Sequence, residues 1–124
     1  IAGKGSKFYN NQTLKLNDLN GENFINRESG SETRRVFEDN LKKASLKVNT
    51  IMEVSRTTMV QAVKENIGVG LISEPEFDNY KDIKKIYIED DDIFTQAYLV
   101  CLKKKKSDNL VNAFIETAKK IILD

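Results

Sequence analysis

The strongest constraint on the fold of this chain is a strand that runs straight into a helix through a corner of small polar residues. The apolar pair Phe24 and Ile25 ends the strand, and two serines around a glycine separate it from a helix-forming run. Hydroxyl groups and the free N–H groups of the helix N-terminus then meet at one place, which suits an anion or a small polar ligand. The candidate ligand-binding residues of this first corner are Glu28, Ser29, Gly30, Ser31 and Thr33.

The same corner also has a purely structural interpretation. Ser29 and Glu32 have the spacing of a capping box, and Ser31 is an alternative helix cap. Gly30 would then supply a turn with positive φ, and Arg34 would be a surface residue paired within the helix. The local spacing leaves both interpretations open.

A second strand-to-helix corner repeats the pattern. Residues 48–54 alternate and are rich in β-branched side chains, which predicts a strand. Residues 55–58 then open a helix with an apolar face. Ser55 and Thr57 are the candidate ligand-binding residues of this second corner, and helix capping is their alternative role.

The helix after the second corner is followed by a short buried strand. Gly68 is expected to end the helix, and residues 69–73 are too few and too apolar for any element except a buried strand. Ser73 lies at the end of that strand and is a further candidate. Because ligands bind outside the carboxyl ends of the strands in open α/β sheets, neighbouring corners predict one shared site.

These motifs occur in a specific order along the chain. They are Asp18-Leu19-x-Gly21, Phe24-Ile25, Gly30-Ser31-x-Thr33-Arg34, Glu53 before Ser55, and Gly68-x-Gly70-Leu71-Ile72. In this order the chain resembles the effector-binding domain of LysR-type transcriptional regulators, over roughly residues 8–120.

The resemblance implies an α/β, periplasmic-binding-protein-like (type 2) fold with two lobes and a ligand site in the cleft between them. This chain is then a partial effector-binding domain that holds mainly the second lobe, a mixed sheet of about five strands flanked by helices. Residues 1–13 are expected to form a crossing strand and linker, and residues 14–93 the second lobe. Residues 94–124 are expected to form a return strand and a C-terminal helix that belong to the first lobe.

The resemblance also implies a function. A small-molecule effector with a carboxylate, sulfate or phosphate-like group would bind between the lobes and shift the arrangement of a DNA-bound homo-oligomer. DNA would be contacted only through an N-terminal helix-turn-helix that these residues do not contain. The alternative is the solute-binding protein of an ABC-type transporter, which has the same fold outside the cytoplasm. An upstream helix-turn-helix would favour the regulator, and an upstream signal peptide the transport protein.

Composition favours a cytoplasmic domain without enzymatic activity. The chain has no histidine and a single cysteine, so the commonest general base and a Cys–His pair are both missing, and neither a metal nor a cofactor is expected. The acidic run at residues 89–92 lacks the spaced ligands of a calcium loop, and the lysine run at residues 103–106 lacks interleaved aromatic residues. A net charge of +1 gives no general attraction to nucleic acid. No signal segment or membrane-length apolar run is present.

The C-terminal part predicts one strand and one helix. Residues 94–102 are long and apolar enough for a central strand, and Cys101 is expected to be a small core residue within it. Residues 110–123 predict an amphipathic helix with Asp108 or Ser107 as its N-cap. Its apolar face must either pack on the sheet of this lobe or be covered by another copy of the chain, so we expect self-association unless the helix folds back.

Overall fold

The computed structural model describes residues 1–90 and 93–123, so Asp91 and Asp92 of the acidic run lie outside the described residues. The strands of this part are β1 (Ala2–Gly3), β2 (Thr13–Leu14), β3 (Asn23–Arg27), β4 (Asn49–Val54), β5 (Val69–Gly70), β6 (Ile83–Lys84) and β7 (Tyr87–Ile88). The α-helices are α1 (Glu32–Lys43), α2 (Arg56–Lys64) and α3 (Asn109–Leu123). Short 3-10 turns cover Leu16–Leu19, Glu74–Glu76 and Lys103–Lys105.

Strand β3 lies at the centre of the main sheet. It pairs in parallel with β4 on one side and with β5 on the other. Ile1 and Gly70 exchange backbone hydrogen bonds of 2.7 and 3.2 Å, which joins the start of β1 to the outer edge of β5. Strand β6 then pairs antiparallel with β1. The three-stranded sheet β4-β3-β5 is thus extended through Ile1 by the antiparallel pair β1-β6, and this mixed arrangement flanked by helices confirms the predicted fold class.

Helices α1 and α2 cover opposite faces of this sheet because neighbouring residues of β3 point to opposite sides. On one face Phe24 stacks on Phe37 of α1, with ring centroids 4.8 Å apart. On the other face Ile25 packs with Met59 and Val63 of α2. All five side chains are almost fully buried, so the chain forms two cores, one on each side of the sheet.

The helix ends differ in detail from the sequence predictions. Ser31 is the N-cap of α1, and the predicted capping box of Ser29 and Glu32 is wrong, because the Glu32 carboxylate pairs with Arg35 instead. Helix α2 ends at Lys64, and the residue with positive φ after it is Asn66, not Gly68. A Cβ at position 68 would lie 2.7 Å from the Asn23 carbonyl oxygen, so glycine is needed there for close packing.

Several predicted strands are shorter than expected. The strand predicted at residues 69–73 is limited to β5. The alternation of residues 83–88 predicts a fifth strand, but this segment is divided between β6 and β7. These two short strands have different partners, because β6 pairs with β1 whereas β7 pairs in parallel with β2. The crossing strand expected within residues 1–13 is limited to β1 and the start of β2.

The C-terminal part differs most from the predictions. Residues 93–102 form no strand, and Cys101 is exposed, so both the predicted central strand and the predicted core cysteine are wrong. A strand forms only where a neighbouring edge accepts its hydrogen bonds, and no described strand pairs with this segment. Helix α3 does form, and its Leu110 N–H donates to the Asp108 carboxylate at 3.0 Å, as predicted. Its apolar stripe is exposed, so the helix does not fold back onto the sheet.

Candidate ligand-binding site at the carboxyl edge of the sheet

The two predicted corners lie side by side at the carboxyl edge of the main sheet. Arg27 at the end of β3 is in register with Val54 at the end of β4. The Glu28 N–H donates to the Val54 carbonyl at 3.1 Å, which continues the pairing into the first corner. This adjacency was predicted from the order of the motifs and is confirmed.

The first corner leaves free donors at the start of α1. Gly30 has a φ of +91°, which turns the chain into the helix, as predicted. The Ser31 hydroxyl accepts the Arg34 N–H at 3.4 Å. The N–H groups of Glu32 and Thr33 have no acceptor among the described residues, as is usual for the first turn of a helix.

Arg34 holds this corner together through four hydrogen bonds of its guanidinium group. Its guanidinium donates to both carboxylate oxygens of Glu53 at 2.8 and 3.0 Å, to Glu38 at 2.8 Å and to the Arg27 carbonyl at 2.9 Å. The hydrogen bond from Arg34 holds the pKa of Glu53 below its usual value. The Arg34 guanidinium therefore connects α1 to the ends of β3 and β4. Two carboxylates already neutralise its charge.

Arg27 lies in a second ionic cluster, on the α2 side of the sheet. Its Nε donates to Glu28 at 3.2 Å, and this hydrogen bond is the main reason that the pKa of Glu28 is lowered. Its Nη1 lies 3.9 Å from the Glu76 carboxylate, which also accepts the Ser73 hydroxyl at 2.6 Å and lies 3.4 Å from Arg56. Glu76 thus connects the segment that follows β5 to α2 and to the end of β3.

A cavity of about 450 Å³ lies next to the start of α1. Thr33 and Ser73 are the two predicted site residues that line it, and Lys85 and Tyr87 line it as well. The remaining wall is mostly apolar and comes from Ile1, Leu71, Ile72, Pro75, Ile86, Ile88, Ile93 and Phe94, with Glu74 and Thr95 as its polar members. A cavity with apolar walls and a few polar groups is typical of small-molecule sites.

The other predicted residues do not line this cavity. Glu28, Ser29 and Gly30 are exposed at the first corner, and Ser31 is half-buried as the cap of α1. At the second corner Ser55 caps α2 by accepting the Thr58 N–H at 3.5 Å, and Thr57 is exposed. The structural interpretation of Ser31 and Ser55 is thus confirmed, and their ligand-binding role stays a prediction.

Sequence reasoning missed four polar residues at the cavity, which are Glu74, Lys85, Tyr87 and Thr95. Both Lys85 Nζ and the Tyr87 hydroxyl donate to Glu74 Oε1, at 3.0 and 2.6 Å. These two donors hold the pKa of Glu74 below its usual value, with Tyr87 the larger cause. Residues 83–88 were interpreted only as a strand, and the alternation of Lys85 and Tyr87 within them was the available signal.

The described residues contain neither a metal-binding cluster nor a membrane-spanning helix. No three His, Cys, Asp or Glu side chains of this part are grouped closely enough to hold a metal ion. None of the helices in residues 1–90 and 93–123 has the length and hydropathy needed to cross a membrane.

Comparison with known proteins assigns the chain to a family. The model of the LysR substrate binding domain matches residues 1–121. An uncharacterized HTH-type transcriptional regulator of Methanocaldococcus jannaschii, MJ0300, is 32% identical over 116 residues, which are 88% of this chain and 39% of MJ0300. The structure of the Synechocystis PCC6803 CcmR regulatory domain in complex with 2-PG matches with a TM-score of 0.58 at 23% identity, over 65% of this chain and 40% of that chain.

The chain spans about two-fifths of each of these two proteins. At its low identity, the CcmR domain supports the fold alone. The family match, in contrast, covers nearly every residue, and the resemblance inferred from the motif order is confirmed. The chain belongs to the LysR substrate-binding domain family, the effector-binding part of LysR-type transcriptional regulators.

Proposed function

We propose that this chain senses a small acidic molecule for a LysR-type transcriptional regulator, through the cavity beside α1. The ligand carries a carboxylate, sulfate or phosphate-like group. The observation that supports this most strongly is the position of Thr33, which lines the cavity at a helix start with two free N–H groups. Lys85, on another wall of the same cavity, is a cation that pairs with Glu74 in this structure and would be available to an acid that replaces this carboxylate.

The ionic contacts around the site explain how the free donors keep their position. Arg34 holds the start of α1 against β3 and β4, and Glu76 holds the end of β5 against α2. Such a preorganised edge lowers the cost of ordering when a ligand binds. The exposed candidates of the two corners, Ser29 and Thr57 among them, would contact the ligand only if it extends beyond the cavity.

Regulation would follow from a population shift. A ligand changes the arrangement of a regulator only by binding one of its states more tightly than the other. In our proposal the DNA contact lies in a helix-turn-helix outside these 124 residues, the regulator is a homo-oligomer, and it acts in the cytoplasm. MJ0300 is named as an HTH-type regulator, which supports the DNA part of the proposal, and the 2-PG complex of CcmR supports a small-molecule ligand.

The experiment compares equivalent threonines of the two helices. Thr33 and Thr57 both stand two residues after the serine that caps their helix, but only Thr33 lines the cavity. Binding of 2-PG, inorganic phosphate, sulfate and benzoate is measured by calorimetry on the complete protein. We expect Thr33→Val to lower the affinity for the acid that binds by about fivefold, which is the effect of one lost hydrogen bond.

Thr57→Val is the matched control and should leave binding within about twofold. Equal affinities of wild type and Thr33→Val would show that the cavity beside α1 is not the ligand site. A loss confined to Thr57→Val would move the site to the second corner. If none of the four acids binds, the acidic-ligand proposal is wrong.

A further inference from the structure

The turn Glu74–Glu76 carries two carboxylates that are held on opposite sides. Glu76 accepts the Ser73 hydroxyl and lies near Arg56, so it anchors the turn to the sheet and to α2. Glu74 instead receives Lys85 and Tyr87, on the cavity side. One turn therefore connects the main sheet to the cavity wall through two independent carboxylates.

Both donors on the cavity side are less exposed than the carboxylate they share, and Tyr87, the more exposed of the two, is 48% exposed. The Lys85 ammonium lies 4.9 Å from the ring centroid of Tyr87 and 5.8 Å from that of Phe77, and its side chain is 33% exposed. The Glu74 side chain is 64% exposed and accepts no other hydrogen bond among the described residues. An exposed ion pair of this kind is weak, so another acid can replace this carboxylate at low cost.

We propose that Lys85 Nζ and the Tyr87 hydroxyl bind the acidic group of the ligand, and that Glu74 occupies their position until the ligand displaces it. This inference rests on the proposed function and adds the groups that recognise the acid. A carboxylate or a phosphoryl group can each accept two donors at one place, as Glu74 Oε1 does. The aliphatic wall beside these donors accommodates the body of an organic acid.

Displacement gives binding a structural consequence. The released Glu74 carboxylate carries the same charge as the ligand and is repelled from the cavity. Glu76 keeps the other side of the turn in place. The movement that follows the release of Glu74 is therefore confined to the residues that lie between the main sheet and the β6–β7 segment. Ligand binding is thereby coupled to the position of the turn Glu74–Glu76.

The test uses Glu74→Gln, with Glu76→Gln as its matched control in the same turn. Affinities for benzoate and for inorganic phosphate are measured by calorimetry on the complete protein. Glu74→Gln removes the competing charge and should tighten binding about three- to tenfold. Lys85→Gln should weaken it about tenfold, because a charge-assisted hydrogen bond is lost. Glu76→Gln should leave affinity within about twofold, and thermal unfolding checks that each variant is folded.

The two probes separate the possible sources of the acid. If benzoate and phosphate both respond, the donors recognise any acidic group, and a response of benzoate alone shows that the apolar wall is also required. Unchanged or weaker binding in Glu74→Gln, or no effect of Lys85→Gln, overturns the inference, and so does the absence of binding in every variant. The proposed function is tested separately, because Thr33→Val can weaken binding while Glu74→Gln changes nothing. In that case the cavity beside α1 is retained and the displacement of Glu74 is rejected.

Discussion

Residues 1–90 and residues 93–123 have equally clear apolar patterns but bury them to very different extents. In the first region the side chains of Phe24 and Phe37 are 2% and 0% exposed. In the second region Phe94 and Phe114 are 72% and 64% exposed, and the apolar stripe of α3 faces solvent. An amphipathic pattern is enough to form a helix, but burial requires a second apolar surface at the right distance.

Strands show the same difference between the regions. Strand β3 is central because it pairs with β4 on one side and with β5 on the other. Residues 93–102 are similarly apolar, yet no described strand pairs with them, and they form no strand. The comparison shows that β-propensity alone does not produce a strand, since its stability comes from neighbours.

The largest expected effect tests this comparison with one substitution made in both regions. Phe37→Ala removes a fully buried ring that stacks on Phe24, and it should destabilise the protein by about 3–5 kcal/mol. Phe114→Ala removes an exposed ring from α3 and should change stability by less than about 0.5 kcal/mol. Urea unfolding of both variants provides the measurement. A similar loss in Phe114→Ala would mean that α3 is packed against something in solution.

A second prediction concerns association through the open region. The stripe of Leu110, Phe114, Ile121 and Ile122 is exposed on α3, and exposed apolar patches of this kind are typical of interfaces. We expect the 124-residue chain to associate in light scattering at high concentration, and Phe114→Glu to shift it toward monomer. A Glu at an exposed position of the other region, such as Thr57→Glu, serves as the charge control. A wild-type chain that is monomeric at every concentration contradicts the prediction.

The smallest expected effect compares an ion pair from each region. Arg34 lowers the pKa of Glu53 and Lys119 lowers the pKa of Glu116, so both carboxylates favour the folded state when ionised. That contribution is present above the usual value of 4.5 and is lost as pH falls through the lowered pKa of the folded state. The pair of Glu53 joins α1 to β4, whereas the pair of Glu116 lies within α3.

Glu53→Gln should therefore lower the thermal midpoint at pH 7 more than Glu116→Gln does. The difference between wild type and Glu53→Gln should start to shrink below about pH 4.5, where the carboxylate of the unfolded wild type takes up a proton, and should be lost below the lowered pKa of the folded state. Thermal unfolding at pH 7 and pH 3.5 measures both effects. An equal decrease of the thermal midpoint in the two variants would show that an ion pair between separate elements stabilises this protein no more than an ion pair within one helix.

Much of the candidate site was predictable because it depends on local chain direction. A strand followed at once by a capped helix places its corner at the carboxyl edge, so the adjacency of the first and second corners followed from their order. The roles of Lys85 and Glu74 were not predictable, because these residues meet across separate segments of the chain. The contacts of Arg34 were predictable only in part. Its ion pair with Glu38 follows from helical spacing, whereas its ion pair with Glu53 depends on the pairing of strands.

The sequence by itself determined the helices α1, α2 and α3, the existence of strand β3, Ser55 as a candidate cap, and the family. These features depend on periodicity and on residues a few positions apart, which are present in any stretch of the chain. Only the tertiary structure decided which apolar segments are buried, which strands find partners, and which polar groups share the cavity. Each of those outcomes requires two distant segments to meet, and a one-dimensional pattern does not specify the surface that lies opposite.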